Sequence, residues 1–247
     1  MRVLALDTTT RAGSVAIVDE DTVVDERPGD AARPHAERLP AEILALADAN
    51  RTPLASVGLF AVASGPGSFT GLRIGIATLQ GFAFVQGRKM IGIPALEALA
   101  HWGSRDLPAG ACVAAWMDAY RHDVFAALYR VTDAPVFDPD RLVEIEAASV
   151  GSPASTWARW SGLGLPAVVV GEGAVLYRET IASARILPSP LLAGAIGRLA
   201  VGYARRGAAV HPSAIHPLYV RRPDAEVTRE KNIQHKKHEG HQGHEGH

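Results

Sequence analysis

Apolar residues run from Val3 to Leu6, stop at the polar cluster Asp7-Thr8-Thr9-Thr10, and return at Val15 to Val18 and at Val23-Val24. Runs of this length broken by short polar turns predict three strands, Arg2 to Asp7, Ser14 to Val18 and Thr22 to Asp25, in an antiparallel start. The period then changes. Leu39, Ile43, Leu46 and Ala47 recur at helical spacing, so a helix is expected from His35 to about Asn50, with Pro40 tolerable only in its first turn, where N–H groups have no intrahelical partner. Val57 to Ala63 reads as a strand leading directly into Ser64-Gly65-Pro66-Gly67-Ser68-Phe69-Thr70-Gly71-Leu72-Arg73-Ile74-Gly75. Pro66 between two glycines sets a tight turn, Ser68 or Thr70 can cap a helix, and that helix is expected to run to about Gly87.

That second helix is apolar nearly all round. Leu72, Ile76, Leu79 and Ala83 mark one face, yet Ile74, Ala77, Phe82, Phe84 and Val85 are apolar as well, so it requires cover on more than one side. Gly71, Gly75 and Gly81 each cost about 1 kcal/mol relative to alanine in a helix interior, and close backbone approach by another element is the expected compensation. A core helix beside a sheet and a partner-binding helix both satisfy the pattern. A membrane span does not, since Arg73 and Gln80 interrupt a run well short of about 20 apolar residues.

Further along, Met90 to Ile93 reads as a short strand, Pro94 opens a helix through Leu99, and residues 101–110 read as a linker. The strand Ala111 to Met117, the polar turn Asp118-Ala119-Tyr120-Arg121-His122-Asp123 and the strand Val124 to Tyr129 repeat the order of the N-terminus. Ser152 to Trp160 reads as a helix, Ala167 to Val170 as a strand, and Leu191 to Arg206 as a helix with Leu192, Ala195, Ile196, Leu199 and Tyr203 on one side. The divisions expected are 1–109, 110–229 and a tail, 230–247.

Composition narrows the chemistry. A chain of 247 residues that is 47% hydrophobic can bury one large core or two modest ones, and a net charge of −1 supplies no broad basic surface for nucleic acid. The single cysteine, Cys112, lies in an apolar run and reads as a small buried hydrophobe. The N-terminus carries no basic segment followed by a long apolar run, so a cytoplasmic location is expected. His35 and Glu37 have no second histidine at ligand spacing, and a local capping role is expected for them. No Ser/His/Asp order or metalloprotease motif supports a peptidase. Arg221 and Arg222 read either as an RNA contact or as a solvated pair. In the tail, His235, His238, His241, His244 and His247 recur every third residue among charges and glycines; this predicts disorder with loose capture of transition metals rather than a built metal site.

Several of these stretches carry a resemblance. The strand Leu4-Ala5-Leu6-Asp7-Thr8-Thr9, His35-Ala36-Glu37-Arg38-Leu39-Pro40, the Gly65-Pro66-Gly67-Ser68-Phe69-Thr70-Gly71 run and Asp118-Ala119-Tyr120-Arg121 resemble, in order and spacing over roughly residues 1 to 225, the TsaB (YeaZ) family. The wider family includes the catalytic paralogue TsaD. The resemblance implies an α/β fold of two related lobes like those of actin, Hsp70 and sugar kinases (ASKHA), with mixed sheets flanked by helices and the last helix packing back on the first lobe. In that fold an Asp-Thr turn holds phosphate and a Gly-x-Gly turn meets adenosine, which marks Asp7, Thr8, Thr9, Gly171 and Gly173 as candidate nucleotide contacts. Phosphate turns normally contain glycines, which Thr8-Thr9-Thr10 and Ala119-Tyr120-Arg121 lack.

The resemblance therefore implies a non-catalytic subunit without a cofactor. It would support TsaD as a heterodimer, and the ATPase TsaE in a larger complex, in forming N6-threonylcarbamoyladenosine at position 37 of tRNAs that read codons beginning with A. Contact with tRNA is expected only through that complex. The expected partner face, also used for self-association, comprises Leu39, Ile43, Leu46, Ala47, Phe69, Leu72, Arg73, Ile76, Leu79 and Ala83. The alternative is an active ATPase or phosphotransferase of the same superfold.

Overall fold

The computed structural model describes residues 1–221 apart from Ser161, Gly164 and Ala182. Arg222 and the histidine-rich tail, with His235, His238, His241, His244 and His247, lie outside the described residues.

Two five-stranded sheets share one connectivity. In the first, β1 (Arg2–Asp7), β2 (Ser14–Asp19) and β3 (Thr22–Pro28) form an antiparallel meander, and β4 (Leu59–Gly65) and β5 (Lys89–Pro94) add in parallel on the other side of β1, giving the order β3-β2-β1-β4-β5. In the second, β6 (Cys112–Asp118), β7 (Val124–Val131) and β8 (Leu142–Gly151) are again antiparallel, and β9 (Val168–Val170) and β10 (Arg185–Leu187) add in parallel beyond β6. The continuous apolar runs of β1, β4 and β6 match strands covered on both faces.

Helices supply that cover. One face of the first sheet carries α1 (His35–Ala49) and α2 (Phe69–Val85), whose Leu39, Ile43, Leu46, Ile76, Leu79 and Ala83 close on Leu4, Leu6, Ile17, Phe60 and Val62. The other face carries α3 (Ala95–Gly103) and α6 (Ala193–Arg205), and their apolar sides continue into a core shared with Val113, Ala115, Met117 and Ala127 of the second sheet. The far face of the second sheet is closed by α4 (Pro153–Trp160) and α5 (Glu172–Leu176) around Trp116 and Trp160.

α6 has no local cap. Ser14 Oγ accepts from the Leu192 and Ala193 N–H groups at 3.2 and 3.0 Å, and Glu26 Oε1 accepts from Gly194 at 2.8 Å. Strands β2 and β3 thus satisfy the helix start and anchor α6 on the first sheet.

Three local expectations change. Pro40 lies in the second turn of α1, so the Ala36 carbonyl loses its i+4 partner; both residues are exposed, which leaves that carbonyl on the solvent side of the helix. α3 continues through His101 to Gly103, because the His101 ring is wholly buried and stacks on Phe137 with centroids 6.0 Å apart. Cys112 is half-buried at the edge of the Trp116 cluster. Among the described residues no helix is long and apolar enough to cross a membrane.

Candidate functional site

The turn after β1 is built from its own side chains. Asp7 Oδ1 accepts from the Thr9 N–H at 2.9 Å and from the Thr9 hydroxyl at 2.7 Å, while Thr10 Oγ1 accepts from the Gly13 N–H at 3.1 Å. α1 clamps it from one side. His35 Nε2 donates to the Thr10 carbonyl at 3.0 Å, and the buried Arg38 donates to the Arg11 and Ala12 carbonyls at 3.1 and 2.5 Å and to His35 Nδ1 at 2.8 Å. With Nδ1 accepting and Nε2 donating, the imidazole is neutral, and burial holds its pKa below the ordinary histidine value. His35 is therefore a brace of the β1–β2 turn rather than a cap: the helix cap position is Pro34, with no side-chain cap bond.

α2 clamps the turn from the other side. The Ser68 hydroxyl accepts from the Gly71 N–H at 3.2 Å, capping the helix, and the Ser68 N–H donates to the Thr9 carbonyl at 2.8 Å. A β-carbon at Gly67 would lie 2.6 Å from Thr9 Cβ, one at Gly71 would collide with the Thr8 carbonyl, and one at Gly75 with the Thr8 side chain. The glycine run is the surface against which Thr8 and Thr9 pack. A phosphate cradle needs free amides and open space; here the Asp7 and Thr10 side chains already take the Thr9 and Gly13 amides, and the glycine run closes the side toward α2.

Gly171 and Gly173 are closed in the same way. A β-carbon at Gly171 would strike the Trp116 carbonyl and one at Gly173 would lie 2.9 Å from Met117 C, so both serve the packing of α5 on β6. Between these turns a cleft of about 430 Å³ is lined by Asp7, Thr9, Arg11 and Glu172 among others. Burial raises the pKa of Asp7, opposed in part by the Thr9 bonds, and burial also raises Glu172, with Asp7 and Asp118 adding repulsion. Among the described residues no group of three or more His, Cys, Asp or Glu is arranged to hold a metal ion.

The second polar turn is occupied as well. Tyr120, Arg121 and His122 adopt φ of 58°, 55° and 64°, a left-handed run without glycine, and Asp118 Oδ1 accepts from the Tyr120 N–H at 2.9 Å. The C-terminal strap docks here: Arg221 donates to the Ala119 carbonyl at 2.9 Å and pairs with Asp123. Its charge is used inside the chain. Upstream, Tyr219 stacks on Phe69 at 5.0 Å, and Arg73 lies 4.2 Å over the Phe69 ring while donating to the Tyr219 hydroxyl at 2.8 Å.

The residues marked for a partner face divide. Leu39, Ile43, Leu46, Ala47, Leu72, Ile76, Leu79 and Ala83 are buried within the chain, whereas Phe69 and Arg73 are exposed beside the strap. The outward side of the α1–α2 layer presents other residues: Ala41, Leu44 and Ala45 from α1, and Ala77, Gly81, Phe84 and Val85 from α2. Phe84 and Val85 are 70% and 79% exposed. Among the described residues nothing lies within 4 Å of the β-carbon position of Gly81. Helical periodicity marks the inner stripe; the outer one is legible only as the apolar surplus of α2.

Two sheets of one connectivity, each with an antiparallel meander continued by parallel strands and enclosing an interlobe cleft, define a two-lobed protein of the actin, Hsp70 and sugar-kinase class. Residues 22–172 match the family model of TsaD, tRNA N6-adenosine threonylcarbamoyltransferase. The chain is 32% identical over 173 residues to the tRNA threonylcarbamoyladenosine biosynthesis protein TsaB of Escherichia coli, covering 70% of this chain and 72% of that one. It is 34% identical over 230 residues to an uncharacterized protein of Mycobacterium tuberculosis, covering 91% and 93%. The solved structure of YeaZ from Pseudomonas aeruginosa superposes with a TM-score of 0.72 at 28% identity, covering 88% of this chain and 99% of that one. The chain belongs to the TsaB (YeaZ) family.

Proposed function

We propose that this chain acts in the biosynthesis of threonylcarbamoyladenosine in tRNA as a non-catalytic subunit that binds TsaD and holds it in its working form. In this reading TsaD transfers the threonylcarbamoyl group to adenosine 37, TsaE joins the larger complex, tRNA is reached only through that complex, and the assembly works in the cytoplasm. The observation that carries the reading is the outward apolar face of α1 and α2, centred on Gly81, Phe84 and Val85: the His211 ring meets Phe84 edge-on with centroids 6.4 Å apart, yet both apolar side chains stay largely exposed. A glycine that costs about 1 kcal/mol in a helix and whose β-carbon position meets nothing among the described residues suits the close approach of a second helix. The packed Thr8-Thr9 turn supports the absence of phosphate chemistry. The same face serves self-association when TsaD is absent.

The test is gel-filtration mass of the chain mixed with TsaD. Phe84→Arg and Val85→Arg are expected to retain the melting temperature of the parent chain and to abolish the heterodimer, because each places a charge in a buried interface centre, at a cost of several kcal/mol. Normal assembly by both variants would overturn the assignment of this face.

A further inference from the structure

Away from the closed phosphate turns, the lobes meet at another cleft, about 340 Å³, between α3, α6, β7 and β8, lined by Pro94, Glu97, Tyr129, Leu142, Glu144 and Tyr203 among others. Its polar groups come from both lobes. Glu97 lies in the first turn of α3, and Glu144 lies on β8 directly across the ladder from Tyr129. The Tyr203 hydroxyl donates to Glu97 Oε1 at 2.5 Å. Tyr129 is only 6% exposed, and its hydroxyl has no hydrogen-bond partner among the described residues. Tyr129 lines the cleft, and Glu97, Glu144 and Tyr203 lie close enough to its phenol to act on it electrostatically.

The cleft holds acid without base. No Lys or Arg lines it. His101 stands 4.0 Å from Glu97, but its own burial and the neighbouring Arg141 keep it neutral. Arg206, near Tyr203, is engaged by Asp138 and Asp140. Burial raises the Glu97 carboxyl, the Tyr203 bond offsets part of this, and Glu144 adds repulsion. A mostly buried carboxylate on one lobe, a second, exposed one on the other close enough to repel it, and no Lys or Arg among the lining residues make an incomplete arrangement. The remaining walls, Pro66, Leu96, Pro139, Ala148 and Leu218, are apolar. A further space of about 420 Å³, sharing Pro94, Glu97 and Tyr203, continues toward Gly92 and His216.

We infer that this cleft binds a small aliphatic cation, a guanidinium or primary ammonium on a short alkyl chain. Its charged head lies between Glu97 and Glu144, and the Tyr129 and Tyr203 oxygens accept from its N–H groups. The apolar walls take the chain, and the adjoining space leaves room for its far end. Because the two carboxylates belong to different lobes, the bound cation ties the lobes together. This site is independent of the partner face on α1 and α2.

The test uses the full chain with agmatine as probe, read by titration calorimetry and by melting temperature. One saturable site and a rise in melting temperature are expected. Glu97→Gln and Glu144→Gln should each weaken binding about tenfold or more, as loss of a charge-assisted contact of roughly 1.5–3 kcal/mol requires. Tyr129→Phe should weaken it by a smaller factor, and Asp21→Asn, on the exposed surface, should leave it unchanged. Circular dichroism of each variant separates lost binding from lost fold. If folded Glu97→Gln and Glu144→Gln proteins bind agmatine as the parent does, or if the parent gives no saturable signal at millimolar agmatine, the inference is overturned: Glu97 then serves as the acceptor for Tyr203 and nothing more.

Discussion

Thr8 fills the space above Gly75. Its hydroxyl and methyl groups occupy the place where a β-carbon of that helical residue would stand, and its carbonyl does the same at Gly71. The β1–β2 turn and α2 are therefore one packed unit. Substituting Gly75→Ala forces a methyl into this contact, and overpacking of about 2 kcal/mol is expected to exceed the helix-propensity gain. Thermal unfolding should show a fall of roughly 4–8 °C. The pair Gly75→Ala with Thr8→Ala should recover at least half of it, and a single variant as stable as the parent would contradict the packing.

Gly81 stands in the same helix with the opposite sign. With nothing near its β-carbon position, Gly81→Ala should stabilise the isolated chain by about 1 kcal/mol, a rise of roughly 2–4 °C. The same variant should weaken the complex with TsaD, since the added methyl separates two closely packed helices. Ile76→Arg provides the contrast: its side chain is 4% exposed in the core between α2 and the first sheet, so unfolding, not selective loss of assembly, is expected.

The packed phosphate turn leads to a kinetic expectation. Steady-state ATP hydrolysis by the purified chain should stay at the buffer background, and Asp7→Ala should not change it. Turnover by the parent that disappears in Asp7→Ala would favour the ATPase or phosphotransferase reading.

Stability should depend on pH through His101. Burial, reinforced by Arg141 and opposed by Asp138, lowers its pKa to about 3, and neither ring nitrogen has a partner. The unfolded chain binds this proton below about pH 6.5 and the folded one does not, so stability present above pH 6.5 is lost as pH falls toward 3, by about 1.4 kcal/mol for each unit well inside that window. The carboxyls of buried Asp7 and of half-buried Glu26, Glu97 and Glu172 are raised by desolvation and act in the opposite sense. Comparison of parent and His101→Gln by urea unfolding at pH 7.5, 6.5 and 5.5 isolates the histidine. The parent should lose more stability on acidification than the variant, and equal losses would exclude the assignment.

The alternation of apolar runs and polar turns determined the strands of the first sheet and the helical character of residues 35–49 and 69–85, because burial on one or two sides imposes a period that survives in the bare sequence. The repeated order of strand, Asp turn and strand likewise carried the duplication. Periodicity identifies which side of a helix is buried, but not whether the burying surface belongs to the same chain. For that reason Leu39, Ile43, Leu72, Ile76 and Leu79 read as a partner face and stand in the core, while Phe84 and Val85 passed as surplus. The glycines were open in the same way: Gly71, Gly75 and Gly81 look alike along the helix, and only the path of the β1–β2 turn, which brings Thr8 against two of them, leaves the third exposed. Glu97, Tyr129, Glu144 and Tyr203 share no sequence pattern. Long-range packing of α3, α6 and the β7–β8 edge brings them to one cleft, a juxtaposition that only the tertiary structure decided.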